Sequence, residues 1–166
     1  MTHQALKFSL LNCQKLTDQK IPEFDKITQN DYFSICTEIN LSSQEHQNIL
    51  ECDSNYIWHF ITKNSDNKLQ QRIGIRIPIQ VSNHIKFTLL SHAYLTGRTK
   101  SEIRDQTAIQ WLLFKAQIYH LTFKIMVVYR VPAALDEVTE RLYNDINAHC
   151  PLCLLYTSPS PGDSWA

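Results

Sequence analysis

The sequence predicts an α+β fold, in which one strand and two helices form a central unit between flanking segments of mixed type. Apolar and polar residues alternate over 72–81, apolar residues recur every four positions over 85–97, and a helix-capping pattern lies at 99–102. Alternation is typical of a half-buried strand, and the longer period is typical of a helix. These observations place the central unit within 66–118.

The predicted central strand has one apolar and one polar face. The apolar face consists of Ile73, Ile75, Ile77, Ile79 and Val81, and the other face of Arg72, Gly74, Arg76, Pro78 and Gln80. Ser82 is a candidate N-cap for the first helix, whose stripe is Ile85, Leu89 and Ala93 and which ends at Gly97. Thr99 and Glu102 form the capping box of the second helix, which extends to about 117.

The flanks contain further strands and helices. Strands are expected at 32–39 and 121–131, either a strand or a buried helix turn at 56–62, and a short helix after the capping pair Ser42 and Glu45. The polar segment 63–68 is the linker candidate. A last helix should start near Pro132 and carry an apolar stripe from Leu135 to Ile146.

The predicted organisation has four parts. Residues 1–65 form an N-terminal α+β region of unknown role, 66–118 the central unit, and 119–152 a truncated strand–helix unit. Residues 153–166 resemble one reading frame through a sequencing-library adapter. We therefore expect this tail to be non-native and the natural chain to continue beyond Leu152, and we exclude the tail from the fold.

Composition excludes several classes of protein. Hydrophobic residues make up 43% and charged residues 19%, which is typical of a globular protein. Lysine plus arginine equals aspartate plus glutamate, at 16 each, so a nucleic-acid surface would have to be local. The three glycines exclude a glycine-rich phosphate loop. No apolar run could span a membrane and no signal peptide is visible, so we expect a cytoplasmic protein.

No metal or cofactor site is predicted. Cys13, Cys36, Cys52 and Cys150 are widely spaced and form no Cys-x-x-Cys pair within the natural part, so we interpret them as ordinary thiols. The histidines at 84, 92, 120 and 149 lack metal-ligand spacing. A cysteine-dependent enzyme built around Cys150 is the weakest hypothesis for function.

The central unit resembles the ribbon-helix-helix family of DNA-binding proteins over residues 72–117. The residues that carry the resemblance are Arg76 to Ser82, then Ile85, Leu89, Ala93 and Gly97, and finally Arg98 to Ile103. The resemblance implies an obligate homodimer whose paired strands enter the major groove of double-stranded DNA. The implied base contacts are Arg76, Pro78, Gln80 and Arg72. The implied phosphate contacts are Arg98, Thr99, Lys100 and Ser101.

The leading hypothesis is a sequence-specific transcriptional regulator, not an enzyme. Proteins that this segment resembles often serve as repressors, antitoxins or plasmid regulators, so a toxin or other protein partner is a further expectation, and a membrane is not. The alternative is an α+β protein-interaction or ligand-binding module without DNA contact, in which 72–117 packs with both flanks. The alternative interprets the polar face of the central strand as solvated.

Overall fold

The computed structural model describes residues 5–63, 70–97, 106–130 and 134–150. They divide into two compact units, residues 5–83 and residues 84–150. The predicted linker at 63–68 and the tail at 153–166 lie wholly or mostly outside the described residues. No helix in the described part of the chain is long and apolar enough to cross a membrane.

The first unit is built on a four-stranded mixed sheet. Its strands are β1 (Phe8–Asn12), β2 (Phe33–Leu41), β3 (Tyr56–Lys63) and β4 (Gln70–Pro78), and its helices are α1 (Ile21–Ile27) and α2 (Ser43–Cys52). The strand order is β1-β2-β4-β3. The pair β1 and β2 is parallel, whereas β4 runs antiparallel to both β2 and β3. Strand β1 ends at Asn12, opposite Thr37, whereas β2 continues to Leu41.

Local sequence explains the helices of this unit. Ser42 Oγ accepts a hydrogen bond from the Glu45 amide at 3.3 Å, and a Glu45 carboxylate oxygen accepts one from the Ser42 amide at 2.8 Å. This capping box confirms the predicted start of α2. Helix α1 carries Pro22 in its first turn, where the missing N–H has no helical partner to lose.

Both faces of the two central strands are buried. Residues 33–37 of β2 and 73–77 of β4 are all buried. One interior cluster joins the helices to the sheet through Leu16, Ile21, Phe24, Cys36, Ile49 and Trp58. The isoleucines of β4 and the residues that alternate with them are therefore both buried, so the alternation does not distinguish a buried face from an exposed one.

The second unit is a three-stranded antiparallel sheet with one helix. It consists of β5 (Ile85–Gly97), β6 (Gln106–Ile118), β7 (Leu121–Arg130) and α3 (Asp136–His149), with β6 in the middle. Helix α3 covers one face of the sheet, where Ile109, Trp111, Leu113, Val138 and Leu142 form a core. The indole N–H of Trp111 donates to Asp145 at 2.8 Å and fixes the helix to the sheet.

The two helices predicted over 82–97 and 99–117 are wrong. Strand β5 occupies most of the first range and β6 most of the second from Gln106 on. Their β-branched and aromatic residues, such as Phe87, Tyr94 and Trp111, favour strands, and pairing between the two strands satisfies their backbones. The four-residue apolar spacing in β5 is therefore not a helical stripe.

The ribbon-helix-helix unit is wrong for the same reason. Its proposed strand, β4, pairs with β2 and β3 inside the first unit, whereas β5 and β6 belong to the second. Segment 66–118 is thus divided between the two units. The alternative hypothesis agrees better with the structure, because β4 packs with the preceding flank and β6 pairs with β7 in the following one.

Candidate active site

The carboxyl end of β1 and an irregularity in β2 between Thr37 and Leu41 bring a polar pair together. Asn12 is the last residue of β1 and lies opposite Thr37 in the parallel register, and Glu38 follows Thr37. The amide of Asn12 donates from Nδ2 to Glu38 Oε1 at 3.1 Å. Both side chains are half-buried, so they remain accessible from solvent. Carboxyl ends of parallel strands are a recurrent place for ligand sites in α/β sheets.

A second bond fixes the orientation of the Asn12 amide. Its Oδ1 accepts a hydrogen bond from the backbone N–H of Gln14 at 3.1 Å. The amide oxygen therefore accepts from an N–H group and the amide nitrogen donates to a carboxylate, as the chemistry of each atom requires. One oxygen of Glu38 is held in place, and Oε2 accepts no hydrogen bond from the described residues.

The backbone of Glu38 is strained. Its φ is 53°, in the left-handed region, and it lies where the register between β2 and β4 shifts from Thr37 to Leu41. A non-glycine residue there costs about 1–2 kcal/mol. Such bulges are frequent beside active sites, where they re-aim a side chain. Strain of this kind persists only where the surrounding structure holds it.

The loop after β1 supplies the contacts that hold Glu38. Backbone N–H groups of Cys13, Lys15 and Leu16 donate to the carbonyls of Thr37, Glu38 and Ile39 at 2.9, 2.7 and 2.9 Å. These bonds continue the parallel ladder beyond the end of β1. They fix the position of the Glu38 carbonyl directly.

Lys20 closes the same loop from its other side. Its ammonium donates to the carbonyls of Cys13 and Lys15, at 2.5 and 2.8 Å. Gln14 and Lys15 have φ of 46° and 78°, in the region that is sterically unfavourable for residues with a Cβ, so this turn is tight and strained. The charged bonds from Lys20 therefore stabilise a turn that its own sequence does not favour.

The structure places Arg76 in the interior instead of on a DNA-facing surface. Its side chain is 0% exposed. Nε and Nη2 donate to the two carboxylate oxygens of Asp53 at 2.7 and 2.8 Å, and Nη2 also donates to Asp25 at 2.5 Å. The guanidinium lies 3.4 Å from the ring centroid of Tyr56. Arg76 therefore has no surface with which to contact a base.

The charge of Arg76 is kept by its partners. Burial alone lowers the pKa of a guanidinium, but the hydrogen bonds to Asp53 and Asp25 outweigh it and raise the pKa of Arg76 above its usual range. The carboxylate of Asp53 is buried too, and it also accepts from the indole N–H of Trp58 at 2.6 Å. This ion pair joins α1, the end of α2 and the sheet.

The other predicted DNA contacts are scattered. Pro78 ends β4 and is half-buried, and Gln80 is exposed in the 3-10 helix Ile79–His84. Arg72 lies within β4, and its side chain is outside the described residues, as are all of Arg98, Thr99, Lys100 and Ser101. Among the described ones, the structure brings none of these side chains into a common site.

Asn12 and Glu38 were not among the candidate residues predicted from the sequence. Asn12 lies in a segment without a clear pattern, and Glu38 stands on the polar side of the predicted strand 32–39. Their proximity depends on parallel pairing of β1 with β2, which no local pattern encodes. An Asn at the end of one strand and a Glu at the end of the next is the available signal, and it is weak.

Sequence comparisons identify no relative. No family model matches the chain. No curated protein matches it either. The similarities of this chain to known proteins are therefore structural.

Three solved structures share the fold. An endonuclease/exonuclease/phosphatase family protein from Bacteroides thetaiotaomicron has a TM-score of 0.55 at 11% identity, covering 86% of this chain and 57% of that one. TDP2 from D. rerio, complexed with single-strand DNA product, has a TM-score of 0.53 at 11% identity, covering 88% and 56%. A mannosyl-6-phosphatase from Bacteroides thetaiotaomicron has a TM-score of 0.55 at 11% identity, covering 87% of this chain and 60% of that one.

The chain has the sheet-rich α+β fold of these proteins. It spans 56–60% of the length of the three chains. The ribbon-helix-helix resemblance is therefore wrong. The expectations that depended on it are overturned with it: a repressor, antitoxin or plasmid regulator, a homodimer on double-stranded DNA with a toxin partner, and a protein that is not an enzyme.

Proposed function

We propose that this chain takes part in the hydrolysis of phosphate esters, with Asn12 and Glu38 in the active site. The observation that carries the proposal is the strained, half-buried Glu38, which is held by Asn12 at the end of β1. The structural neighbours support the same chemistry, since they include an endonuclease/exonuclease/phosphatase family protein, a phosphatase and a complex with a DNA product. Backbone strain concentrates at functional sites.

The pair has the donor chemistry of a magnesium site. Mg²⁺ prefers carboxylate oxygen and is commonly held by one or two carboxylates together with waters and substrate phosphate. Glu38 would supply one carboxylate oxygen to such an ion, and Asn12 would orient that carboxylate. A bound cation would supply charge stabilisation to a phosphoryl oxygen.

The residues of this chain would contribute preorganisation. Asn12 fixes Oε1 of Glu38, and the loop amide of Lys15 fixes the Glu38 carbonyl. The carboxylate is thus oriented before any ligand binds, so less conformational entropy is lost at that side chain on binding. Partners that orient a metal ligand are worth roughly 10- to 100-fold in metal affinity.

Two measurements on the whole chain test the proposal. The first is Mn²⁺ binding, followed by electron paramagnetic resonance, for the wild type, Glu38→Gln and Asn12→Ala. The second is Mg²⁺-dependent hydrolysis of p-nitrophenyl phosphate and bis-p-nitrophenyl phosphate. Glu23→Gln is the matched control, because Glu23 is exposed on α1 and its substitution removes the same charge from the same unit.

We expect Glu38→Gln to weaken Mn²⁺ binding at least tenfold and to abolish hydrolysis, and Glu23→Gln to change neither. Asn12→Ala should weaken Mn²⁺ binding by on the order of tenfold, since it keeps the Glu38 carboxylate but removes the hydrogen bond that orients it. The proposal is wrong if Glu38→Gln binds Mn²⁺ like the wild type, or if the wild type hydrolyses neither ester.

A further inference from the structure

One face of the sheet in the second unit is polar and cationic beyond the end of α3. It consists of Lys86 and Thr88 on β5, Lys115 and Gln117 on β6, and Thr122 and Lys124 on β7, a set called the lysine face here. Cross-strand partners Thr88, Lys115 and Lys124 lie in one row, and Lys86, Gln117 and Thr122 in the next. Directly opposite residues of antiparallel strands point to the same side, as do alternate residues along a strand.

Burial confirms that this face meets solvent. Lys86, Thr88, Thr122 and Lys124 are exposed, and the two residues on the central strand are half-buried. The intervening residues of β6, Phe114, Ala116 and Ile118, are buried on the opposite face. Helix α3 covers the same face only farther along, at Trp111 and Leu113. Six polar side chains on three strands thus form one continuous surface.

The lysine face lacks compensating charge. Segments 85–97, 106–118 and 121–130 contain Lys86, Lys115, Lys124 and Arg130 and no aspartate or glutamate. Lys115 lies directly opposite Lys124. Like charges in that position destabilise a sheet. In the part of the chain that the structure describes, none of the three lysines forms an ion pair, and Asp145 on α3 is hydrogen-bonded to Trp111. A bound polyanion would relieve this repulsion.

An aromatic pair adjoins the end of the lysine face. His84 precedes β5 and Tyr119 follows β6, and their rings stack with centroids 4.6 Å apart and planes 14° apart. Tyr119 is 51% exposed, and its backbone amide is bonded to the His84 carbonyl at 2.9 Å. Nucleic-acid bases stack on such exposed rings, while neighbouring cations contact the phosphates.

We propose that the lysine face, with the His84–Tyr119 stack at its end, binds single-stranded nucleic acid. The lysines would contact phosphates, the hydroxyls of Thr88 and Thr122 would donate to phosphate oxygens, and an unpaired base would stack on Tyr119. The six side chains that define the lysine face are all polar, whereas a membrane-binding surface presents a broad apolar face to the lipid. Because the formal net charge of the chain is zero, the attraction for a polyanion would come from this local concentration of lysine.

The test uses the whole chain and a fluorescein-labelled oligothymidine, with binding followed by anisotropy as salt is raised. The variants are Lys115→Gln/Lys124→Gln and Tyr119→Asn, because asparagine tolerates the φ of 53° at that turn. The matched controls are Lys7→Gln/Lys26→Gln, which removes two exposed lysines from the first unit, and Tyr143→Asn, which removes an exposed tyrosine from α3.

We expect the double lysine variant to bind on the order of tenfold more weakly and to reduce the salt slope by about 1.4, since each lost phosphate contact is worth about 0.7. Tyr119→Asn should weaken binding roughly fivefold or more with little change in slope. Both controls should bind like the wild type. Equal weakening by the control lysine pair, or binding to phosphatidylserine vesicles in place of the oligonucleotide, would overturn the inference. Neither result depends on Glu38, so this test is independent of the proposed hydrolysis.

Discussion

The guanidinium of Arg76 and the carboxylate of Asp53 form a bidentate ion pair inside the first unit, at 2.7 and 2.8 Å. Arg76 is wholly buried and the side chain of Asp53 is 3% exposed. Burying two charges is expensive, so the pair is stable only because each partner satisfies the other and because Asp25, Thr28 and Trp58 complete the hydrogen bonds.

Neutralising one partner should therefore destabilise the fold strongly. Asp53→Asn keeps the shape and an acceptor for Trp58 but removes the buried carboxylate, so that the half-exposed Asp25 is the carboxylate that still pairs with Arg76. We expect the free energy of unfolding to fall by about 3–5 kcal/mol in urea denaturation. Asp25→Asn is the control, because Asp25 is half-exposed and water can replace it, so its loss should cost about 1 kcal/mol or less. Equal effects of the two substitutions would contradict this account.

Arg76 also shows where sequence analysis succeeds and where it stops. Alternation over 72–81 predicted a strand, and 72–78 belong to β4, whereas 79–81 lie in a 3-10 helix. The pattern indicates that successive side chains point to opposite faces, but it does not indicate what covers each face. An arginine among isoleucines is usually exposed, and its burial here depends on two aspartates that lie 51 and 23 residues away.

The helix predictions show a second limit of local pattern. Ser42 and Glu45 predicted α2 because a capping box acts within one turn. The four-residue spacing from Ile85 to Ala93 predicted a helix where β5 forms. That strand gains its stability from β6, through a ladder that the spacing of three apolar residues cannot reveal. The Asn12–Glu38 pair was missed for the same reason, since it requires parallel pairing across 26 residues.

Glu38 should show a conflict between stability and function. Its φ of 53° favours glycine, which has no Cβ to clash. We expect Glu38→Gly to be more stable than Glu38→Ala by about 1 kcal/mol in urea denaturation, while both variants lose Mn²⁺ binding. Alanine is the matched control, because both changes remove the same carboxylate and differ only at Cβ. A glycine variant no more stable than the alanine variant would mean that the backbone of Glu38 is not strained.

Lys20 should act on the site from a distance. It bonds the carbonyls of Cys13 and Lys15, and the Lys15 amide holds the Glu38 carbonyl. We therefore expect Lys20→Met to weaken Mn²⁺ binding on the order of tenfold, and Lys20→Arg to restore much of it. Lys26→Met, which removes an exposed lysine from α1, should leave binding unchanged. If Lys20→Met and Lys26→Met bind Mn²⁺ equally well, the loop does not position Glu38.

Glu45 should give the first unit an acid-sensitive component of stability. The Ser42 amide and the Lys15 ammonium, 2.9 Å away, lower the pKa of Glu45 from 4.5 to about 2. A carboxyl with a lower pKa in the folded state than in the unfolded one stabilises the fold above its unfolded pKa. That stabilisation is complete above pH 4.5 and is lost as the pH falls towards 2.

The measurement is a carboxyl titration by NMR together with urea denaturation across the same pH range. Glu45→Gln is the control, because glutamine can still cap α2 but does not titrate. We expect the wild type to lose more stability than Glu45→Gln between pH 4.5 and about 2, and the Glu45 signal to titrate near 2. A Glu45 signal that titrates near 4.5 would show that the capping box and the Lys15 ion pair do not persist in solution, because either bond favours the ionised carboxylate.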